Sequence, residues 1–206
     1  MRTPSILRGF LRDQRGMAAE FALVLPLLLI FLLGTIDVGI YAWRINQAEK
    51  ATQIGARWAA VTNPLATEIA TATYVNVNVG GTLVTQGDRI PAGALGVLTC
   101  TSSGCTCSTA PCPGTTFDAA AFTSLSTRMQ QIYPAITNAN IQVQYSGSGL
   151  GFAGDPNGPE LAPLITVRLL NMSYTPVVLS PIGGTVGLPD FAYSITAEDA
   201  RGTSSN

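Results

Sequence analysis

The residues with the clearest chemical pattern are four cysteines, spaced C-x4-C-x-C-x4-C within 13 residues: Cys100, Cys105, Cys107 and Cys112. Structural zinc sites usually separate two close pairs of ligands by a longer spacer, and histidine is absent from the chain. We therefore expect two disulfides, which form in oxidising compartments and would staple an exposed loop. A Cys105–Cys107 bridge would close a strained small ring. Two pairings stay open: Cys100–Cys105 with Cys107–Cys112, or Cys100–Cys107 with Cys105–Cys112.

The composition argues against the common catalytic and nucleic-acid-binding classes. The chain has 206 residues, with 11 Lys or Arg, 12 Asp or Glu, no His and a net charge of −1. The lack of His excludes Ser-His-Asp and Cys-His catalysis and every His-ligated metal site. With Lys50 as the only lysine, the chain cannot build the basic face that nucleic acid requires. We predict a protein without enzymatic activity, cofactor or nucleic-acid partner.

One short acidic run could bind a cation. The run Asp155-Pro156-Asn157-Gly158-Pro159-Glu160 offers oxygen ligands of the kind calcium prefers. It matches only part of an EF-hand loop, however, and its two prolines restrict it. A Pro-Asn-Gly turn between two strands explains the same residues. We therefore predict a turn and no metal site here, and we expect the adjacent acids Glu198 and Asp199 to be solvated.

The apolar residues of the chain are concentrated near its start. Hydrophobic residues make up 47% of the chain and charged residues 11%, and residues 21–36 carry no charge. A helix from Phe21 to Trp43 would span about 34 Å, which exceeds a hydrocarbon core of roughly 30 Å. Tyr41 and Trp43 lie where an interfacial aromatic belt is expected. We predict a retained membrane helix. A cleaved secretory signal, the alternative, would have a shorter apolar core and a small-x-small site.

The flanking charges predict the orientation of this helix. Arg2, Arg8, Arg12 and Arg15 precede the apolar run, against the single acid Asp13. By the positive-inside rule, the N-terminus stays in the cytoplasm and the remainder is exported. We therefore predict a single-pass protein of the inner (cytoplasmic) membrane. Its C-terminal domain would be periplasmic or extracellular, where the cysteines can oxidise.

Three residues within or beside the apolar run could affect its behaviour. Glu20 and Asp37 border the run, and each could be solvated at the interface or could pair with a positive charge of another subunit. For Asp37 we expect the solvated state. Pro26 lies inside the run, where it removes a helix hydrogen bond and either kinks the helix or is tolerated as a membrane proline.

Periodicity downstream predicts the remaining elements. Helical spacing continues to Val61, and Asn63-Pro64 ends the helix. Asp118 can cap a second helix that begins near Ala119. A hairpin around Gly80-Gly81 and three later strands complete the prediction, at residues 74–84, 140–145, 164–174 and 191–196.

These elements predict an α+β fold, with a long N-terminal transmembrane helix. An exported antiparallel-sheet domain with a short helix and a disulfide-stapled loop follows. The predicted boundaries are 1–16 for a cytoplasmic basic leader, 17–62 for the helix and 63–206 for the exported, loop-rich domain.

The residues from Arg15-Gly16-Met17-Ala18-Ala19-Glu20-Phe21 to Leu29 resemble the opening of the TadE-like family. The resemblance continues through Gly34, Asp37 and Tyr41 to residues 47–57, and it extends to the distal segments 149–156 and 188–191. It implies that the long helix is pilin-like, and that the chain is a minor pilin (pseudopilin) involved in assembly of a tight-adherence, Flp-type pilus or in adhesion. The implied partners are other pilin-like subunits, the pilus assembly machinery, a prepilin peptidase and membrane lipid.

The resemblance also implies roles for individual residues near the start of the helix. A prepilin peptidase would cut after Gly16, so that Met17 becomes the new N-terminus. Glu20 would then neutralise the free ammonium group of a neighbouring subunit. Glu20 is one residue closer to the cut than in the usual pilin pattern. The alternative is an uncleaved, membrane-tethered periplasmic binding or scaffold protein.

Overall fold

A computed structural model describes residues 14–177, 184–197 and 202. Residues 1–13 of the predicted leader, with Arg2, Arg8 and Arg12, lie outside the described residues, as do Glu198 and Asp199. The chain divides into two compact units. The first contains the chain up to Trp43 together with Tyr174–Val186, and the second contains Arg44–Ser173 together with the chain from Gly187.

The longest element is helix α1, which spans the 48 residues Gln14–Val61. It begins three residues before the predicted boundary and ends where Asn63-Pro64 was expected to stop it, because proline disfavours helical geometry in the residue before it. The helix continues through Pro26. The predicted single long helix is therefore confirmed.

The part of α1 in the first unit presents large apolar side chains at its surface. They include Phe21, Leu23, Val24, Leu27, Leu28, Leu29, Ile30, Phe31, Leu32, Ile36 and Val38. An exposed apolar surface of this extent marks a membrane or subunit contact in a native protein. Among the described residues, this helix is long and apolar enough to cross a membrane.

The second unit is built around a five-stranded antiparallel sheet. The strands of the described chain are β1 (Val77–Val79), β2 (Thr82–Val84), β3 (Val97–Thr101), β4 (Gly104–Thr109), β5 (Ile141–Ser146), β6 (Leu164–Leu169), β7 (Ser173–Tyr174), β8 (Val186–Gly187) and β9 (Phe191–Thr196). The large sheet has the order β4-β3-β5-β6-β9, while β1 pairs with β2 and β7 with β8. The predicted α+β class is confirmed.

One face of this sheet forms the core. In register across it lie Leu98 of β3, Tyr145 of β5, Ile165 of β6 and Ile195 of β9. Buried and half-buried residues alternate along β5 and β6, as expected for a sheet with one apolar face. The opposite face carries polar side chains, and the hydroxyls of Thr166 and Ser194 hydrogen-bond across it at 2.8 Å.

Helices contribute the other side of the core. Besides α1, the chain forms α2 (Glu68–Thr71) and α3 (Ala119–Ile132). The carboxylate of Asp118 accepts hydrogen bonds from the backbone N–H groups of Ala120 and Ala121, each at 2.9 Å. The predicted N-cap is therefore confirmed.

The second half of α1 approaches α3 closely because its core residues are small. Ala48, Ala51, Ala56, Ala59 and Ala60 are buried. A Cβ atom added at Gly55 would lie 2.7 Å from the sulfur of Met129. Glycine therefore lets the two helices pack at this point.

Two predicted strands differ in extent from the observed ones, and the first is the hairpin strand predicted from Tyr74, which begins at Val77. The hairpin turn at Gly80-Gly81 is present, and both residues have positive φ angles of 59° and 89°, which glycine adopts without steric cost. The strand predicted over residues 164–174 instead ends at Leu169. Asn171 there has a φ of 56°, which breaks the extended backbone before β7.

Candidate functional site

Three of the predicted site residues lie at the start of α1. Gly16 and Met17 are in its first turns, since the helix begins at Gln14. The Glu20 side chain is exposed. A peptidase would have to open only the first helical turn to reach the Gly16–Met17 bond, and that turn is held by few hydrogen bonds because the first four N–H groups of a helix have no partner within it.

Asp37 is not solvated, which corrects our expectation. Its side chain is only 5% exposed. One carboxylate oxygen accepts a hydrogen bond of 2.9 Å from the backbone N–H of Val177 and one of 3.3 Å from the hydroxyl of Tyr174. The donors belong to the segment Tyr174–Val186, whose described residues lie against α1 within the first unit. This acid is thus bound to donors of its own chain.

The two described ends of that segment, Tyr174–Val177 and Gly184–Val186, are here called the strap. The Tyr41 and Tyr174 rings are tilted against one another, with their centroids 5.8 Å apart. Beside them is an apolar cleft of about 240 Å³, lined by Gly34, Asp37, Val38, Tyr41, Tyr174, Pro176 and Val186. The strap therefore covers the acid while leaving apolar surface open next to it.

The sequence interpretation missed the strap. Two signals could have indicated it. No charged residue occurs from Leu169 to Pro189, which is unusual for an exposed connection, and Asp37 is an isolated acid at the edge of an apolar run. An acid in that position needs donors nearby, and an uncharged connection is a suitable source of them. Periodicity could not show that these two segments meet.

The four cysteines form one of the two pairings left open by the sequence. Cys100 is bonded to Cys105 and Cys107 to Cys112. The register explains this choice, because Cys100 lies directly opposite Cys105 in the β3–β4 hairpin, whereas Cys107 lies opposite Leu98. Cys100, Cys105 and Cys107 are in strands rather than in a free loop, and β4 is an edge of the sheet. The bridges therefore secure an edge hairpin.

The acids of the predicted turn are used separately as backbone acceptors. Asp155 accepts a hydrogen bond from the N–H of Asn157 at 2.8 Å, and Glu160 accepts one from the N–H of Tyr74 at 2.7 Å. Within residues 14–177, 184–197 and 202, no group of three or more His, Cys, Asp or Glu side chains could hold a metal ion.

The shifted pKa values in the second unit have structural causes. Hydrogen bonds from Thr116 lower the pKa of Glu68, and those from Thr85 lower the pKa of Asp88. Burial, with the nearby charge of Glu160, raises the pKa of Tyr74 to about 12. Burial also raises the pKa of Tyr145, whose hydroxyl accepts a hydrogen bond from the N–H of Leu65 at 2.9 Å.

These tyrosines predict a loss of stability at alkaline pH. An unfolded tyrosine ionises near pH 10, whereas Tyr74 and Tyr145 keep their protons to higher pH in the fold. Above about pH 10 the unfolded state binds fewer protons, so the free energy of unfolding falls by up to about 1.4 kcal/mol per pH unit for each tyrosine. Urea unfolding of the full-length chain in detergent, followed by near-ultraviolet circular dichroism at pH 8 and 11, measures this fall.

The control for this prediction is Tyr145→Phe. Phenylalanine cannot ionise, so the free energy of unfolding should fall less steeply with rising pH than in the parent chain. At pH 8 this free energy should be lower by about 1–3 kcal/mol, because the N–H of Leu65 loses its acceptor. A slope equal to that of the parent chain would contradict the assignment to Tyr145.

Over the part of the chain that the structure describes, the fold and the site define a class of protein with one candidate membrane helix, consistent with a single-pass anchor, and a disulfide-bonded α+β domain. Residues 16–57 match the family model described as "TadE-like protein", which confirms the predicted resemblance over those residues. A TadE-like segment indicates a protein associated with the tight-adherence pilus. The match lies within α1 and does not reach the sheet domain. No curated protein and no solved structure matches the chain.

Proposed function

We propose that the chain is a minor pilin-like subunit of a tight-adherence pilus and acts in pilus assembly or adhesion. One observation carries the proposal: the TadE-like match lies in a continuous helix whose first half exposes large apolar side chains. Such side chains need lipid or other apolar helices around them. The same surface could therefore hold the subunit in the membrane and later pack against neighbouring pilin helices.

The two halves of α1 have different packing roles. The small residues of the second half are buried in the core of the second unit, where Gly55 approaches Met129. One face of that half is therefore committed to its own domain, whereas the first half presents large apolar side chains to lipid or to other subunits. The proposed role is structural and non-catalytic.

We place the N-terminus in the cytoplasm and the sheet domain outside the inner membrane. The four arginines before the apolar run favour this orientation. The two disulfides also support it, because they persist in an oxidising compartment. In this arrangement the Gly16–Met17 bond faces the cytoplasmic side, where we propose that a prepilin peptidase cuts.

Glu20 is proposed to pair with the free ammonium group of Met17 in a neighbouring subunit. An exposed carboxylate in an apolar helix is costly when lipid or other helices surround it, and an opposite charge offsets that cost. We expect Glu20→Ala to reduce incorporation of the subunit into pili by about tenfold or more, corresponding to roughly 1.4 kcal/mol of lost pairing. The measurement is the amount of subunit in sheared pili relative to the amount in membranes.

Glu20→Asp is the matched control for this prediction, because it keeps the charge on a shorter side chain and should assemble better than Glu20→Ala. Equal incorporation of Glu20→Ala and the parent chain would contradict the pairing.

The second candidate function is an uncleaved, membrane-tethered periplasmic binding or scaffold protein. Two observations favour it: Gly16 lies inside α1 rather than before it, and Glu20 is one residue closer to the cut than in the usual pilin pattern. Such a protein would keep its leader and stay in the membrane.

A genetic experiment tests the proposed role. Deleting the gene in a cell that makes tight-adherence pili should reduce surface pili, and the chain should be recovered in sheared pili from the complemented strain. Normal piliation after deletion, with the chain confined to membranes, would favour the tethered protein.

A further inference from the structure

We propose that the strap is a second lipid contact, which lies beside α1 in the interface on the periplasmic side of the inner membrane. This inference rests on the proposed function, which places the first half of α1 in lipid. It concerns a different segment, whose contact with lipid can be tested separately from that of the helix.

The first observation is the position of Asp37 along the helix. Asp37 follows Phe21 by 16 residues, or about 24 Å of helix. If the hydrocarbon core begins near Phe21, Asp37 is within about 6 Å of the outer edge of a core of roughly 30 Å. The strap donates hydrogen bonds to Asp37, so it lies at the same depth.

The second observation is that the strap is suited to this depth. Val177 is 64% exposed. The sequence around it, from Leu169 to Pro189, carries no charge. The N–H of Val177 is bonded to Asp37, which meets the requirement that backbone polar groups near lipid have partners. The Tyr41–Tyr174 pair is of the aromatic type that favours the membrane interface.

The third observation is continuity with the helix surface. Gly34 and Val38 of α1 line the same apolar cleft as Pro176 and Val186 of the strap. Lipid that contacts the exposed side of Val38 would therefore also reach the strap. Asp37 and the strap stabilise each other. The strap donates hydrogen bonds that offset the cost of burying the acid, and the acid accepts these bonds and so holds the strap against the helix.

The test places a fluorescent label on a single introduced cysteine. All four native cysteines are in disulfides, so a new thiol can be labelled selectively. The full-length chain carries Val177→Cys, and parallel chains carry Val38→Cys or Leu83→Cys as matched exposed positions, with parent residues 64%, 68% and 53% exposed. Each chain is reconstituted in phosphatidylcholine vesicles that contain lipids with a spin-label quencher at a shallow acyl position.

We expect the labels at Val177 and Val38 to lose about half or more of their emission, whereas the label at Leu83 in the β1–β2 hairpin stays close to its unquenched value. Quenching at Val38 but not at Val177 would overturn the strap proposal and leave the anchor intact. Absence of quenching at Val38 would overturn the membrane placement of α1 itself. A label at Val177 that is not quenched by lipid, and that is shielded from solvent only at high protein density, would show that a second copy covers the strap. That result would also overturn the proposal.

A second comparison tests the role of Asp37 as a positioning residue. In the Val177→Cys chain, Asp37→Ala removes the acceptor of the Val177 N–H, whereas Asp37→Asn keeps an oxygen at that place. We expect Asp37→Ala to change the quenching at position 177 while quenching at Val38 persists, and Asp37→Asn to behave like the parent. Identical quenching at position 177 in all three chains would contradict the pinning of the strap by Asp37.

Discussion

Replacing Leu28 and Phe31 together by arginine is expected to abolish stable insertion of the chain into membranes. Both side chains are exposed on α1, three residues apart and near the middle of the apolar segment. On an insertion scale each arginine costs about 2.5–3.5 kcal/mol and each lost Leu or Phe about 0.3–0.6 kcal/mol, so the pair costs about 6–8 kcal/mol. Arginine side chains at this depth are far from both interfaces, so snorkelling relieves little of this cost.

The measurement is carbonate extraction of the full-length chain after cell-free synthesis with membranes, which avoids degradation in cells. The parent chain should remain in the membrane pellet and the double arginine variant in the supernatant. The double alanine variant, Leu28→Ala with Phe31→Ala, should pellet like the parent, because alanine has almost no insertion cost. An arginine variant that resists extraction as well as the parent would contradict a membrane location for this part of α1.

Tyr145→Ala is expected to unfold most of the sheet domain. Tyr145 is fully buried on β5, the central strand, opposite Leu98 and Ile165. Truncation of a buried aromatic side chain costs about 3–5 kcal/mol. Removing its hydroxyl also leaves the N–H of Leu65 without its acceptor, at about 1–3 kcal/mol. Together these approach the whole stability of a typical domain, about 5–15 kcal/mol.

Urea unfolding of the full-length chain in detergent measures this effect. Gln142→Ala is the matched control, because Gln142 lies on the same strand with its side chain on the opposite, polar face. That substitution should change the free energy of unfolding by less than about 0.5 kcal/mol. Equal stabilities of the Tyr145→Ala and Gln142→Ala chains would contradict the placement of the core on this face of the sheet.

Local chemistry explains why much of the fold could be predicted. The strict alternation of residues 140–145 predicts β5, and the Asp118 cap predicts the start of α3, because both signals depend on neighbouring residues. The pairing of the cysteines needed the register of β3 and β4, which puts Cys105 opposite Cys100. Spacing alone could not provide that register.

The features that sequence could not supply depend on contacts between distant residues. The burial of Asp37 requires donors from Tyr174 and Val177, which are about 140 residues further along the chain, as the hydrogen bond to Val177 shows. The early end of β6 comes from the positive φ of Asn171, which its residue type permits but does not demand. The TadE-like pattern identified the start of α1, and it contained no information on the strap.

The mature N-terminus is the measurement that tests the proposed function most directly. The full-length chain would be expressed in cells that hold a complete tight-adherence pilus machinery, purified, and analysed by N-terminal sequencing and intact mass. We predict a chain that begins at Met17, and we predict that a strain without its prepilin peptidase retains the leader. A protein that still begins at Met1 in the complete strain would contradict the proposed pilin route and favour the tethered alternative.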